Sequence, residues 1–146
     1  MNLYVVRHGE TQFNIEKRYA GQTDVPLNET GIEQAKELAK KLEGEPFDVI
    51  VTSSLLRAKM TAEQIAEYNC TRQLDDAPTG GETTRQVDSR VAKGLEILKE
   101  KYPEKKVLLV CHGFVSRAIN RQMRGLSFEE MHGFSLGNCE VVQYEM

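Results

Sequence analysis

Residues 3–11 read LYVVRHGET, an apolar run that ends abruptly in an arginine, a histidine, a glycine and a glutamate. Apolar residues at consecutive rather than alternate positions read as a strand buried on both faces, which is the condition of a parallel sheet. VIVT (49–52) and VLLVC (107–111) have the same character, and EVVQYE (140–145) supplies a fourth strand. Helical patterns lie between them. Ile32, Ala35, Leu38, Ala39 and Leu42 share one face of a 3.6-residue period, opened by a capping-box pair at Thr30 and Glu33. Ser54 to Tyr68 reads as a second helix. A third opens at Thr83, with Gln86 at capping-box spacing and Val87, Val91, Leu95 and Leu98 as its stripe. SRAINRQMR (116–124) and the box from Ser127 to Glu130 supply two shorter helices. Strands that alternate with helices predict a three-layer α/β/α fold around a mostly parallel sheet.

The 146 residues suit one domain spanning 1–146, and a chain of that length buries about two thirds of its unfolded surface. The breakers Gly44 to Pro46 and Pro78 to Gly81 are too short to link two domains. A net charge of -3 offers nucleic acid and anionic membranes no global attraction, so any basic chemistry must be local. Three cysteines, Cys70, Cys111 and Cys139, lack metal-ligand spacing, and no signal peptide fits ahead of LYVV. Both readings point to the reducing cytosol.

The unusual residues cluster at strand ends. LYVV runs into Arg7, His8, Gly9 and Glu10; VIVT into Ser53, Ser54 and, shortly after, Arg57; VLLVC into His112 and Gly113. In a parallel arrangement all three bursts share the carboxyl edge of the sheet, where open α/β sheets bind ligands. Two arginines and two histidines converging there suit a dianionic phosphate, with Gly9 and Gly113 letting backbone approach it. Positive neighbours depress an imidazole's pKa and keep it neutral, so one histidine can attack while the other donates to phosphoryl oxygens. Any single burst also reads as a cap or a surface ion pair. A metal site from His8, His112 and Glu10 has no zinc-like spacing, and Arg7 and Arg57 would repel the cation. Cys111 reads as a small buried hydrophobe that alternation turns away from the side His112 faces. Arg117, Arg121 and Arg124 share a helical face that reads either as solvated or as an extension of the positive field.

VVRHGETQFN, SSLLRAKMTAE and LLVCHGFVSRAI resemble the three signature segments of the histidine phosphatase superfamily, the phosphoglycerate mutase-like group. Asn14, Arg18, Gly21, Asp24, Leu27 and Gly31 keep the spacing of its mutases and α-ribazole phosphatase-like members, and GGETTRQVDSRV resembles a helix common among them. The resemblance implies a phosphatase in which His8 is phosphorylated while Arg7, Arg57 and His112 grip the phosphoryl group. It implies Asn14, Gln22, Thr23 and Gly113 as substrate contacts, and neither metal nor organic cofactor.

One stretch departs from the family pattern. The covering segment that usually follows the second helix is shortened around 70–82, and Asp76 stands where the family places its glutamate general acid, with Asp75 or Glu82 as alternatives. Asp75 and Asp76 also read as a solvated turn, and Glu82 as a charge at a helix N-terminus. A short cover argues against mutase chemistry and opens the site to bulkier phosphate esters or to a phosphorylated protein, as in phosphohistidine protein phosphatases, whereas Asn14 and GQTDVPLNETG (21–31) resemble the branch that acts on small-molecule phosphate esters. A phosphate-binding module that has lost catalysis is the non-enzymatic alternative.

Overall fold

The computed structural model describes residues 1–18, 20–21, 23–69, 74–77 and 84–146. The elements run β1 (Asn2–Arg7), α1 (Gln12–Ile15), α2 (Glu29–Lys41), β2 (Val49–Ser53), α3 (Leu56–Asn69), β3 (Leu74–Ala77) and α4 (Thr84–Lys101), followed by β4 (Lys106–Cys111), α5 (Gly113–Arg124), α6 (Phe128–Met131) and β5 (Val141–Glu145). The strands form one sheet in the order β3-β2-β4-β1-β5. All neighbours are parallel except β5, which runs antiparallel to β1.

Two-residue alternation divides each central strand between two cores. Leu3, Val5, Val49, Val51, Val107 and Leu109 face α4, α5 and α6, packing with Val87, Val91, Ile119 and Met131. Val6, Ile50, Leu108 and Val110 face α2 and α3, packing with Leu38, Ala39, Ala62 and Ile65. The sheet is therefore covered on both sides, which explains the continuous apolar runs. Among the described residues no helix is long and apolar enough to cross a membrane.

Four local expectations change. Asn28, not Thr30, caps α2: its side chain accepts from the Gly31 amide, so the helix opens at Glu29. The second predicted helix begins at Leu56 rather than Ser54. Asp75 and Asp76, read as a turn, lie in β3, with Asp76 in register beside Thr52. α5 begins three residues before the predicted Ser116, with His112 at its N-cap position. The Ser127–Glu130 capping box is present at α6, and a second box, Thr11 with Asn14, opens the short α1. Thr83 lies outside the described residues.

Candidate active site

Strand register assembles the site. Arg7 pairs with Cys111 across β1 and β4, and the His8 amide extends the ladder to the Cys111 carbonyl at 3.0 Å. His8 and His112 therefore emerge side by side, with ring centroids 5.3 Å apart. Thr52 pairs with Val110, which brings Ser53 to the same edge; its hydroxyl lies 2.7 Å from His112 Nε2. Arg57 enters from the first turn of α3.

The loop after β1 is held by close backbone contact. A Cβ on Gly9 would lie 2.6 Å from the Gly31 carbonyl oxygen, and one on Gly31 would lie 2.1 Å from that of Glu10. Gly9 thus serves packing against α2, not the ligand approach read from the sequence. Its amide donates to Thr61 Oγ1 at 3.0 Å, and Thr61 donates onward to the Arg57 carbonyl, tying the loop to α3. Asn138 donates to the His8 carbonyl at 2.9 Å, and the Cys139 amide donates to that of Arg7.

His8 is 4% exposed, and its Nδ1 lies 2.7 Å from the Gly9 carbonyl oxygen. A carbonyl only accepts, so Nδ1 carries the proton and Nε2 keeps its lone pair. Burial pushes the His8 pKa from 6.5 down to about 4, with Arg57 and Arg7 adding to the fall against the opposing Gly9 bond. His112 is pushed down to about 3, first by burial and then by His8, Arg57, Arg7 and Arg90. Both rings are neutral at pH 7, and desolvation rather than arginine charge is the leading cause. The Ser53 hydroxyl accepts from the Leu55 amide at 3.3 Å and lies within hydrogen-bond distance of His112 Nε2; a hydroxyl that donates to Nε2 leaves the imidazole proton on Nδ1. Buried His112 Nδ1 and Arg7 Nε make no hydrogen bond among the described residues.

Both arginines are anchored through carbonyls. Arg57 donates to Thr23 O at 2.8 Å and to Gly21 O at 3.0 Å, where Gly21 holds a φ of 52° that L side chains rarely adopt. Arg7 donates to Leu136 O at 3.2 Å, and its guanidinium packs on Gly113, where a Cβ would meet Nε at 3.3 Å. Burial, then Arg117, lowers the Arg7 pKa.

These residues line a cavity of about 340 Å³ that also touches Asn14, Arg18, Arg90 and Arg117. Five arginines and no acidic side chain face it among the described residues. The N-terminus of α5 opens at the same place, adding main-chain amides and a positive dipole end.

The cavity gathers Arg7, His8, Asn14, Arg57, His112 and Gly113 from the sequence-based set. Thr23 is exposed, and its carbonyl accepts from Arg57, a cavity residue. Gln22 and Glu82 lie outside the described residues, while Asp76 is placed by its backbone in β3. Glu10 accepts from Asn28 Nδ2, outside the cavity lining. Of the α5 arginines only Arg117 lines the cavity; Arg121 pairs with Asp88, and Arg124 donates to Asn120. The three share a face of α5, but Arg121 and Arg124 do not extend the cavity's positive lining. Cys111 belongs to the core, where burial pushes its thiol up to about 12.

Sequence reasoning assigned no role to Ser53, Arg90 or Asn138. Ser53 sits inside a quoted strand end, so its place beside His112 could have been found by pairing β2 with β4. Arg90 sits within the α4 stripe and Asn138 in a turn, where neither carries a distinguishing signal.

An α/β/α sheet whose carboxyl edge presents two neutral histidines inside a ring of arginines defines a protein built to hold a phosphoryl group. The sequence model of the histidine phosphatase superfamily (branch 1) matches residues 3–76 and 68–146, and the chain belongs to that family. Membership places it among the phosphatases, hydrolases of phosphoric monoesters. It is similar to the uncharacterized phosphatase PhoE of Bacillus subtilis, 35% identical over 83% of this chain and 76% of the relative. The fold is also that of Bacillus stearothermophilus YhfR, with a TM-score of 0.89 at 24% identity over 99% of this chain and 90% of the other. A mutant phosphoserine phosphatase of Entamoeba histolytica in complex with phosphoserine matches at a TM-score of 0.86, with 23% identity over 97% of this chain and 89% of that one.

Proposed function

We propose that the chain hydrolyses a phosphate ester through a phosphohistidine on His8, without a metal. The observation that carries this reading is the His8 Nδ1 bond to the Gly9 carbonyl, which leaves Nε2 as an unprotonated nucleophile at neutral pH. Nε2 attacks phosphorus, the ester oxygen leaves, and water then cleaves the phosphorus–nitrogen bond to release inorganic phosphate. The transition state is loose, so position and charge stabilisation do most of the work. Arg7, Arg57 and the Nδ1 proton of His112 supply the charge. Asn14 and Gly113 complete the lining.

The leaving alkoxide needs a proton. Asp76 is the proposed source: register sets its backbone beside Thr52, one residue before Ser53, on the edge from which the histidines emerge. Glu82 is the alternative. The substrate is a small-molecule phosphate ester, a reading supported by Asn14 and the GQTDVPLNETG stretch (21–31), with a phosphorylated protein side chain as the alternative that a short cover would admit, and the reducing cytosol is its proposed place.

The test is hydrolysis of an aryl phosphate, whose leaving group needs no acid, and an alkyl phosphate, which does, by wild type, His8→Ala and Asp76→Asn. Turnover of both esters that is lost in His8→Ala, with the alkyl ester alone impaired in Asp76→Asn, is the expected result. Full activity in His8→Ala overturns the nucleophile. Phosphate binding without turnover of either ester leaves a binding module.

A further inference from the structure

A second cavity of about 350 Å³ lies between α4 and the sheet, within the size range of small-molecule sites (~300–1,000 Å³). Val91, Leu95 and Leu98 line it from α4, Val51 and Leu109 from the sheet, and Ile119 from α5. It shares Arg90, His112 and Val115 with the catalytic cavity, so the apolar groove adjoins the cavity where the phosphoryl group is held.

Gly94 is an independent sign that the space is reserved. It stands in the middle of the 18-residue α4, where glycine is disfavoured relative to alanine. No close packing requires it, since a Cβ there would meet nothing within 4 Å, and it lines the groove. Ile97, on the same helix and also in the lining, is 60% exposed. A helix that accepts a glycine and an exposed isoleucine beside an unfilled apolar space is shaped to leave that space open.

We infer that this groove takes the apolar tail of the substrate's alcohol, making amphiphilic monophosphates, with a charged head and an aliphatic or ring hydrocarbon body, the preferred substrates. The inference rests on the phosphatase reading for the phosphoryl half. The shared wall selects the occupant: a tail joined to a phosphate at His8 has the groove beside it across His112 and Val115, whereas a freely soluble hydrocarbon has no counterpart for the arginines.

The experiment is a chain-length series, ethyl to decyl, of n-alkyl phosphates for kcat/KM and of non-hydrolysable n-alkylphosphonates for affinity, on wild type, Gly94→Ala and Gly94→Leu. Both quantities are expected to climb with length, by about fourfold per fully buried methylene, until the groove is full. Gly94→Leu fills the groove, and the octyl-to-ethyl ratio is expected to fall at least tenfold with no loss in melting temperature; Gly94→Ala gives a smaller fall. Turnover with no dependence on length overturns the inference and leaves the phosphatase reading standing. A length dependence that survives Gly94→Leu also overturns it, because the tail then lies elsewhere. Phosphonate affinity that climbs with length without any turnover supports the groove and overturns the phosphatase reading. Neither turnover nor phosphonate binding overturns both.

Discussion

The Ser53 hydroxyl, at the end of β2, lies 2.7 Å from Nε2 of His112, at the end of β4. This contact fixes the imidazole's rotation, and a Ser53 hydroxyl that donates to Nε2 leaves the proton on Nδ1, which has no hydrogen-bond partner among the described residues. Ser53→Ala is expected to lower kcat by about tenfold or more while KM changes less, because donation to a developing phosphoryl charge is strongest in the transition state. Stability falls by about 1–3 kcal/mol, the cost of an unsatisfied buried nitrogen. Steady-state kinetics and thermal melting check both. Unchanged kcat in Ser53→Ala means that His112 is oriented by other contacts.

Arg57 holds two carbonyls at once, those of Thr23 and Gly21, through two guanidinium nitrogens. Lysine keeps the charge but cannot reproduce a planar fork. Arg57→Lys is expected to lose about 10²-fold in kcat/KM with an aryl phosphate. A loss below threefold shows that charge alone suffices.

The pH dependence has a defined sign. Folded His8 titrates near 4 and His112 near 3, against an ordinary value of 6.5. Between those values the unfolded chain binds more protons than the folded one, so stability rises with pH. Within that window each histidine gives stability a slope of about 1.4 kcal/mol per pH unit, and its contribution is complete above pH 6.5 and lost as pH falls toward 4 for His8 and 3 for His112. Denaturant titrations from pH 7 to 4 show this slope, and it flattens in His8→Asn with His112→Asn. The acid limb of kcat/KM is expected near pH 4 and not near 6.5.

The contact between Gly9 and Gly31 is backbone against backbone. Gly31→Ala is expected to cost more than about 3 kcal/mol and to lower activity by displacing the His8 loop, since the neighbouring carbonyl has nowhere to yield. Gly44→Ala, whose Cβ meets nothing within 4 Å, is expected to be neutral or stabilising by up to about 1 kcal/mol. Equal melting temperatures for the two variants contradict the packing assignment.

How much of this was legible in the sequence follows from what each residue depends on. β1, β2 and β4 announced themselves because burial on both faces demands unbroken apolar runs. β3, Leu74 to Ala77, carries two aspartates and no such run; its pairing with β2 is a tertiary event that local propensity does not report. Arg7, His8, Arg57 and His112 were legible because charged groups at the ends of apolar strands are unusual. Ser53 and Asn138 were not, since a small polar residue near a turn looks the same whether or not it holds a histidine. The low histidine pKa values were expected from arginine charge, but burial leads, and the 4% exposure of His8 is a property of packing.

The most direct test of the central claim is to mix the protein with an aryl phosphate labelled at phosphorus, quench within milliseconds and look for label on the chain. The account predicts a rapid burst of acid-labile, base-stable phosphate on His8, approaching one per chain and absent in His8→Ala. Turnover without any label on His8, at times when product is already forming, would contradict it and assign the attack to water.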